Sequence, residues 1–280
     1  MSANAKRAVY FETVPHPVFL EIFAKRPDIS LMRLEYKAPS EGNWSIMGGA
    51  HGYQVTSARD DLAPEFFVDG RLLARCPNLL AVSTSGAGYD TVDVDACTAA
   101  GVIVVNQSGG NKEAVAEHAV AMMLNLAKRI GETDHVMRTQ PNLVRTRFMG
   151  TELHGKTVGI VGLGNVGARL AEICRLAFSM RVLAHDPYLT AEQCQDRGAV
   201  KVGLDELLAA ADIVSVNCPR TKETQGMIGA AAFAKMKPGA LFVTTARGGI
   251  HDEAALEAAL KEGRLSGAGL DVWDKEPPPT

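Results

Sequence analysis

Thr157-Val158-Gly159-Ile160-Val161-Gly162-Leu163-Gly164-Asn165-Val166-Gly167 is a β-branched apolar run leading into a G-x-G-x-x-G turn, and Ala168-Arg169-Leu170-Ala171-Glu172-Ile173-Cys174 follows with helical spacing. Strand, tight glycine turn and helix, in that order, turn a weak motif into a dinucleotide-binding signature. The three glycines serve different ends. Gly162 allows the turn, Gly164 lets the backbone approach a pyrophosphate, and Gly167 lets helix and strand pack closely. Amide N–H groups at the helix start then face the phosphates, where the helix dipole favours negative charge. A second apolar run, Met180 to His185, ends in Asp186-Pro187 at the spacing the motif requires, about 20 residues on. Asp186 there accepts hydrogen bonds from ribose hydroxyls and repels a 2′-phosphate, so the expected cofactor is NAD rather than NADP. A glycine-rich turn beside an unrelated surface aspartate is the plainer reading; strand, helix and spaced aspartate together outweigh it.

Around that motif the chain has room for two domains, since its 280 residues reach the size at which single cores stop growing. With 46% apolar and 22% charged residues and a net charge of −3, it carries no electrostatic case for nucleic acid. No apolar run approaches the roughly 18 residues of a membrane span. Met1-Ser2-Ala3-Asn4-Ala5-Lys6-Arg7 enters a strand-like segment rather than the apolar core of a signal peptide. Cys76, Cys97, Cys174, Cys194 and Cys218 are scattered and odd in number, so they read as reduced small hydrophobes of a cytoplasmic protein. Neither they nor the histidines form a metal-ligand pattern, and no metal is expected.

In chain order, the pattern predicts a strand at Ala8–Phe11, a helix from Val14 to Lys25 broken early by Pro15 and Pro17, and a strand at Ile29–Leu34. Lys37 to Gly52 is rich in Gly, Pro and Ser and reads as loop. Leu62 to Arg75 has helical periodicity, and Asn78 to Thr84 is a buried-strand candidate. Ser85-Gly86-Ala87-Gly88-Tyr89-Asp90 follows it. Small residues past a strand end can present several N–H groups together as a nest for a carboxylate; an ordinary βα turn needing positive φ is the competing reading. After a short helix over Val94–Ala100 and a strand over Gly101–Asn106 comes the longest helix, Lys112 to Ile130, with Val115, Ala119, Met122, Leu126 and Ile130 on one stripe. Glu117-His118 within it reads as structural, and Gly131 to Gly155 as an irregular connector. Beyond Asp186, helices over Asp205–Ala210, Ala231–Met236 and Glu253–Glu262 alternate with strands over Asp212–Asn217, Ala240–Thr245 and Leu265–Val272. That alternation implies parallel sheets with ligands beyond the strands' C-terminal edges. Arg247 lies on that edge, where a guanidinium can grip a carboxylate and polarise a neighbouring carbonyl. Glu276 can converge on the same region and orient a histidine, raising its pKa.

Four segments resemble the D-isomer-specific 2-hydroxyacid dehydrogenases, the family that includes D-3-phosphoglycerate dehydrogenase, glyoxylate/hydroxypyruvate reductases and formate dehydrogenase. They are Gly86 to Asp90, Gly110-Asn111 through Ala116-Glu117-His118, Gly162 to Gly167, and Ala246-Arg247-Gly248-Gly249-Ile250 with Leu270-Asp271-Val272 and Glu276-Pro277. The resemblance implies two Rossmann-like/flavodoxin-like parallel-sheet α/β domains with the active site in the cleft between them. Residues 1–108 would be the substrate-binding domain and 109–280 the NAD-binding domain, with 112–155 forming a homodimer's helix and arm. The implied reaction is hydride transfer between NAD and a small D-2-hydroxy acid or its 2-keto acid.

Residue by residue, Arg247 would hold the substrate carboxylate and C2 oxygen while Gly86, Ala87 and Gly88 donate N–H groups to that carboxylate. Asn165 and Val166 would meet the pyrophosphate, Cys218-Pro219 the adenosine side, and Thr245-Ala246 and Asp271 the nicotinamide. Two departures stand out. The family's catalytic histidine lies beyond Glu276, and so does the helix that completes its first domain; an incomplete chain is the expectation. Thr84 stands where phosphoglycerate dehydrogenases usually carry an arginine for the substrate phosphate, which argues for an unphosphorylated acid. D-3-phosphoglycerate dehydrogenase itself and an NAD-sensing, non-catalytic co-repressor are the alternatives.

Overall fold

The computed structural model describes residues 5–12, 14 and 16–278, so the opening residues 1–4, the helix-breaking Pro15 and the last two residues lie outside the described residues. The chain divides into two compact units, 1–111 and 112–280. The first carries β1 (Lys6–Phe11), α1 (Val18–Ala24), β2 (Ile29–Leu34), α2 (Ser40–Met47), β3 (Gly52–Val55), α3 (Gly70–Arg75), β4 (Ala81–Thr84), α4 (Val94–Ala99) and β5 (Ile103–Val105). All pairings are parallel in the order β2-β1-β3-β4-β5, the doubly wound order of flavodoxin-like sheets. Its core is mostly aliphatic and holds a cluster of rings: Phe11 lies 4.8 Å from Phe66, Trp44 packs on Phe66, and the exposed Tyr36 stacks 5.1 Å from Phe11.

Two expectations fail in this unit. Residues 37–52 are not a loop but hold α2 and the start of β3. Trp44 and Met47, one turn apart, are buried and provide an anchor that outweighs the Gly, Pro and Ser content. The expected helix over Leu62–Arg75 is a 3₁₀ turn at Pro64–Phe66, an extended step through Phe67, and α3. Asp69 breaks the run because its carboxylate caps α3, accepting from the Arg71 and Leu72 amides.

The second unit contains α5 (Lys112–Lys128), α6 (Ile130–Thr139), β6 (Thr157–Val161), α7 (Asn165–Phe178), β7 (Arg181–His185), α8 (Ala191–Asp196), β8 (Val200–Lys201), α9 (Leu204–Ala210), β9 (Ile213–Val216), α10 (Ala230–Lys235), β10 (Ala240–Thr244), α11 (Glu253–Lys261) and β11 (Leu265–Leu270). Its sheet runs β11-β10-β9-β6-β7-β8, again all parallel. Numbered from β6, that is the dinucleotide-binding order 3-2-1-4-5-6, whose strand order reverses at β6. β9 and β10 are buried throughout, as central strands covered on both faces must be.

The long helix ends two residues earlier than its pattern suggests. Arg129 adopts a left-handed backbone, φ 55°, and the chain re-enters a helix as α6, inside the expected irregular connector. Ile130 is therefore exposed rather than on the buried stripe, which runs through Ala116, Ala119, Met123 and Ala127. Glycines in β11 admit the flank of α5: a Cβ on Gly269 would fall 2.9 Å from that of Met122. No helix among the described residues is long and apolar enough to cross a membrane.

Candidate dinucleotide and substrate site

The turn between β6 and α7 is shaped by contacts that only glycine satisfies. Gly162 has φ 90°, and a Cβ there would lie 2.7 Å from the Cys218 Cα. A Cβ on Gly167 would lie 2.1 Å from the Gly162 carbonyl oxygen, whereas one on Gly164 would meet nothing within 4 Å. The close contacts lock turn to helix and leave the outer side of the turn open. No side chain caps α7, so its first-turn amides, such as those of Val166 and Gly167, are directed at the space beyond the helix end.

Asp186, at the end of β7, is tied to the same turn. Its Oδ2 accepts the Leu163 N–H at 2.9 Å and its Oδ1 the Tyr188 N–H at 3.0 Å. A carboxylate has about four acceptor positions, so this fixes the group while leaving capacity for a diol. The Leu163 carbonyl in turn accepts from the Arg197 guanidinium. Sequence reasoning missed Arg197; a lone arginine from a distant helix end gives no signal of its reach.

Cys218 lies buried against Gly162, and burial pushes its thiol up to about 11. The Pro219 carbonyl accepts from Thr224 Oγ1 at 2.7 Å. Asn217, just before them, donates to Ser215 Oγ at 3.1 Å, yet its Oδ1 is buried without a partner among the described residues. A buried unpaired acceptor costs about 1–3 kcal/mol. That orphan oxygen is suited to a bound donor.

At the ends of β10 and β11 two turns lie on one another. A Cβ on Gly248 would fall 1.9 Å from the Trp273 carbonyl oxygen, and the Gly249 N–H donates to Asp274 Oδ1 at 2.6 Å. Thr245 and Ala246 lead into the first turn, where Arg247 Nη1 donates to its neighbour's carbonyl, Ala246 O, at 2.8 Å. Glu276 closes the second: its Oε1 accepts the Trp273 N–H at 3.1 Å. The segments carrying Arg247 and Glu276 are thus brought together through backbone. Asp271, paired to Thr244 O through its own N–H, has Oδ1 3.5 Å from Nε2 of His118. His118 is therefore the partner of an expected cofactor residue, and its place on α5 hid this because the partner lies far along the chain.

In the first unit, Gly86 follows β4. Its carbonyl accepts from Thr84 Oγ1 at 2.9 Å and from the Gln107 N–H at 3.1 Å, and the Ala87 carbonyl accepts from Asn106 Nδ2 at 2.9 Å. A trans peptide sets its N–H opposite its C=O, so the Ala87 and Gly88 amides face away from Gln107 and Asn106. Gly86 lies outside the left-handed region, so positive φ is not its reason. A Cβ there would instead fall 2.9 Å from Ser57 Oγ. Thr84 is fully buried.

The second unit's features fit a dinucleotide: an uncapped helix end with open ground at Gly164, a fixed carboxylate at the next strand end, and an orphan acceptor at Asn217. Among the described residues no cluster of His, Cys, Asp and Glu could hold a metal ion.

Residues 120–280 match the family model for the NAD binding domain of the D-isomer specific 2-hydroxyacid dehydrogenases. Over 211 residues, 75% of the chain, the sequence is 46% identical to D-3-phosphoglycerate dehydrogenase of Archaeoglobus fulgidus, of which the match covers 40%. D-lactate dehydrogenase of Aquifex aeolicus, solved with NAD and lactic acid, is similar at TM-score 0.82 and 30% identity, covering 96% of this chain and 78% of that one. A glyoxylate reductase from Paecilomyes thermophila matches at TM-score 0.84 and 27% identity, covering 98% and 83%. The match thus covers about 40% of the length of these curated phosphoglycerate dehydrogenases.

Proposed function

The chain belongs to the D-isomer-specific 2-hydroxyacid dehydrogenases, and from that premise we propose that it interconverts a small D-2-hydroxy acid and its 2-keto acid with NAD. The observation that carries this reading is the Gly162–Gly167 turn at the reversal point of a 3-2-1-4-5-6 sheet, with Asp186 fixed by the turn's own Leu163 amide. Bound NAD supplies the hydride acceptor, or in its reduced form the donor. The α7 amides from Asn165 onward receive the pyrophosphate, Asp186 the adenosine ribose, and Cys218-Pro219 the adenine side. Thr245, Ala246 and Asp271 border the nicotinamide.

Residues 1–108 serve as the substrate-binding domain and 109–280 as the NAD-binding domain. The Ala87 and Gly88 amides donate to the substrate carboxylate, a role supported by the inward pinning of the Gly86 and Ala87 carbonyls. Arg247 holds the carboxylate and the C2 oxygen, and its charge is worth most as negative charge grows on that oxygen during reduction. Glu276 is the carboxylate that orients a proton-donating histidine. Residues 112–155 form a homodimer contact, in keeping with the exposed Ile130, Met137, Val144 and Met149. Five free, buried cysteines suit the cytoplasm.

An unphosphorylated substrate is favoured by Thr84, whose buried hydroxyl offers no cation to a phosphate. The 46% identity to a D-3-phosphoglycerate dehydrogenase favours a phosphorylated one. Oxidation of NADH with glyoxylate, hydroxypyruvate and phosphohydroxypyruvate separates them. Faster turnover of the first two supports the unphosphorylated acid, and a clear preference for phosphohydroxypyruvate installs the phosphorylated one. Absence of NAD binding in a calorimetric titration removes both.

A further inference from the structure

His251 is buried, 2% exposed, and neither ring nitrogen has a hydrogen-bond partner among the described residues. Its ring packs on Phe242 of β10, centroids 5.6 Å apart. An imidazole buried without a partner carries a desolvation cost that an apolar side chain of the same shape would not. Packing alone therefore does not account for a histidine at this position.

Its place in the chain is specific. His251 follows the turn Ala246-Arg247-Gly248-Gly249-Ile250 and precedes Asp252, the N-cap of α11. An isolated parallel bridge joins it to Ile228, flanked by Ile228 N–H to Ile250 O at 3.1 Å and Asp252 N–H to Ile228 O at 3.0 Å. Charged groups approach from several sides. Asp252 and Glu253 come from the start of α11, Asp274 from the turn after β11, and Glu257 lines the same hollow. Arg220 lies against Gly249, and β10 contributes the Phe242 ring.

Two of these carboxylates already hold the neighbouring turn. Asp274 accepts the Gly249 N–H at 2.6 Å, and Glu253 accepts the Asp274 N–H at 2.7 Å. Together they latch the Arg247 turn onto the Trp273–Glu276 turn. A neutral imidazole leaves the latch alone. An imidazolium would be buried with two N–H donors and no acceptor on them unless a carboxylate turned toward it, and the nearby candidates include the two that form the latch.

We propose that His251 is a positioning residue that senses protons: neutral, it leaves the Asp274–Gly249 latch closed, and protonated, it draws a carboxylate from the latch and loosens the Arg247 turn. The consequence for substrate rests on the role proposed for Arg247. Burial holds the imidazole below its usual value of 6.5, with Glu253, Asp274 and Asp252 opposing that shift. Stability from the neutral ring is accordingly complete above the unfolded value and is lost as pH falls through the lower folded one.

The test needs neither cofactor nor substrate, so it can fail independently of the functional reading. Amide and imidazole NMR signals are followed from about pH 8 to about pH 5, where histidines titrate. The expected result is that the Gly249 amide moves with the same midpoint as the His251 ring, below 6.5. His251→Leu should abolish that movement. Asp274→Asn, which weakens the latch while retaining the histidine, should shift the Gly249 amide at all pH values. A Gly249 signal that moves identically in His251→Leu, or stays still while His251 titrates, overturns the proposal. In the assayed enzyme, KM for the keto acid should rise about tenfold per pH unit below the midpoint as the competent fraction falls. His251→Leu should flatten that profile.

Discussion

Gly162 is the residue whose replacement should report most directly on the nucleotide turn. With φ 90° and a Cβ position 2.7 Å from the Cys218 Cα, alanine has neither the backbone freedom nor the room. Left-handed strain in a non-glycine residue costs about 1–3 kcal/mol, and the clash adds to it. Gly162→Ala should weaken NAD binding by about tenfold or more, since 1.4 kcal/mol is a factor of ten, as read by calorimetric titration. Unchanged affinity would mean that the turn does not set the site. Asp212 offers a test by pH. Burial raises its carboxyl pKa, but the Thr157 N–H at 2.8 Å and Lys237 Nζ at 3.0 Å more than offset this and leave it below the usual value of 3.8. Its stabilisation is present above that value and lost as pH falls through the lower folded one. Asp212→Asn should therefore lower stability near neutral pH and flatten the acid limb below about pH 4 of a urea-denaturation series. Asp186 and the glycines were legible because local spacing defines them. Arg197, His118 and the orphan Oδ1 of Asn217 were not, because each acquires meaning only from a partner supplied by another part of the chain.

Elements were readable where one physical cause dominated. Fully covered strands such as β9 and β10 are continuous apolar runs, so their pattern survives without neighbours. Misreadings arose where two causes competed. Over 37–52, Gly, Pro and Ser argued for loop, while Trp44 and Met47 gained burial by forming a helical face. Over 62–75, apolar periodicity argued for one helix, while Pro64 and the Asp69 cap divided it. Capping explains α8 as well, a helix of six residues with too short an apolar pattern to be found by periodicity. There the Thr190 hydroxyl accepts from the Gln193 amide, and the Gln193 side chain accepts the Thr190 N–H at 2.8 Å. Thr190→Ala should cost about 1 kcal/mol in chemical denaturation. A change below a few tenths would show that tertiary contacts alone hold α8.

At the scale of the whole chain, the second unit closes its own core. Apolar clusters on both faces of its sheet are drawn from residues between Ala116 and Leu270. A fragment of residues 112–280 should therefore fold alone and bind NAD with affinity within about tenfold of the full chain's, a shift of 1.4 kcal/mol or less. Loss of cooperative unfolding in the fragment would show that its core depends on the first unit. Both sheet orders were foreseeable in kind from the alternation of strands and helices, but the short edge strand β8 and the break at Arg129 depend on packing that no local pattern carries. The five cysteines, all buried, add a last consequence. Burial raises the Cys174 thiol to about 12 and the Cys218 thiol to about 11, and only the thiolate reacts readily with an alkylating reagent. In the folded protein the buried thiols should therefore label slowly, and each falls within one unit: Cys76 and Cys97 in the first, Cys174, Cys194 and Cys218 in the second. Mass tags added over time therefore form a two-channel clock, in which the number and position of labels record which half of the molecule opened and how often.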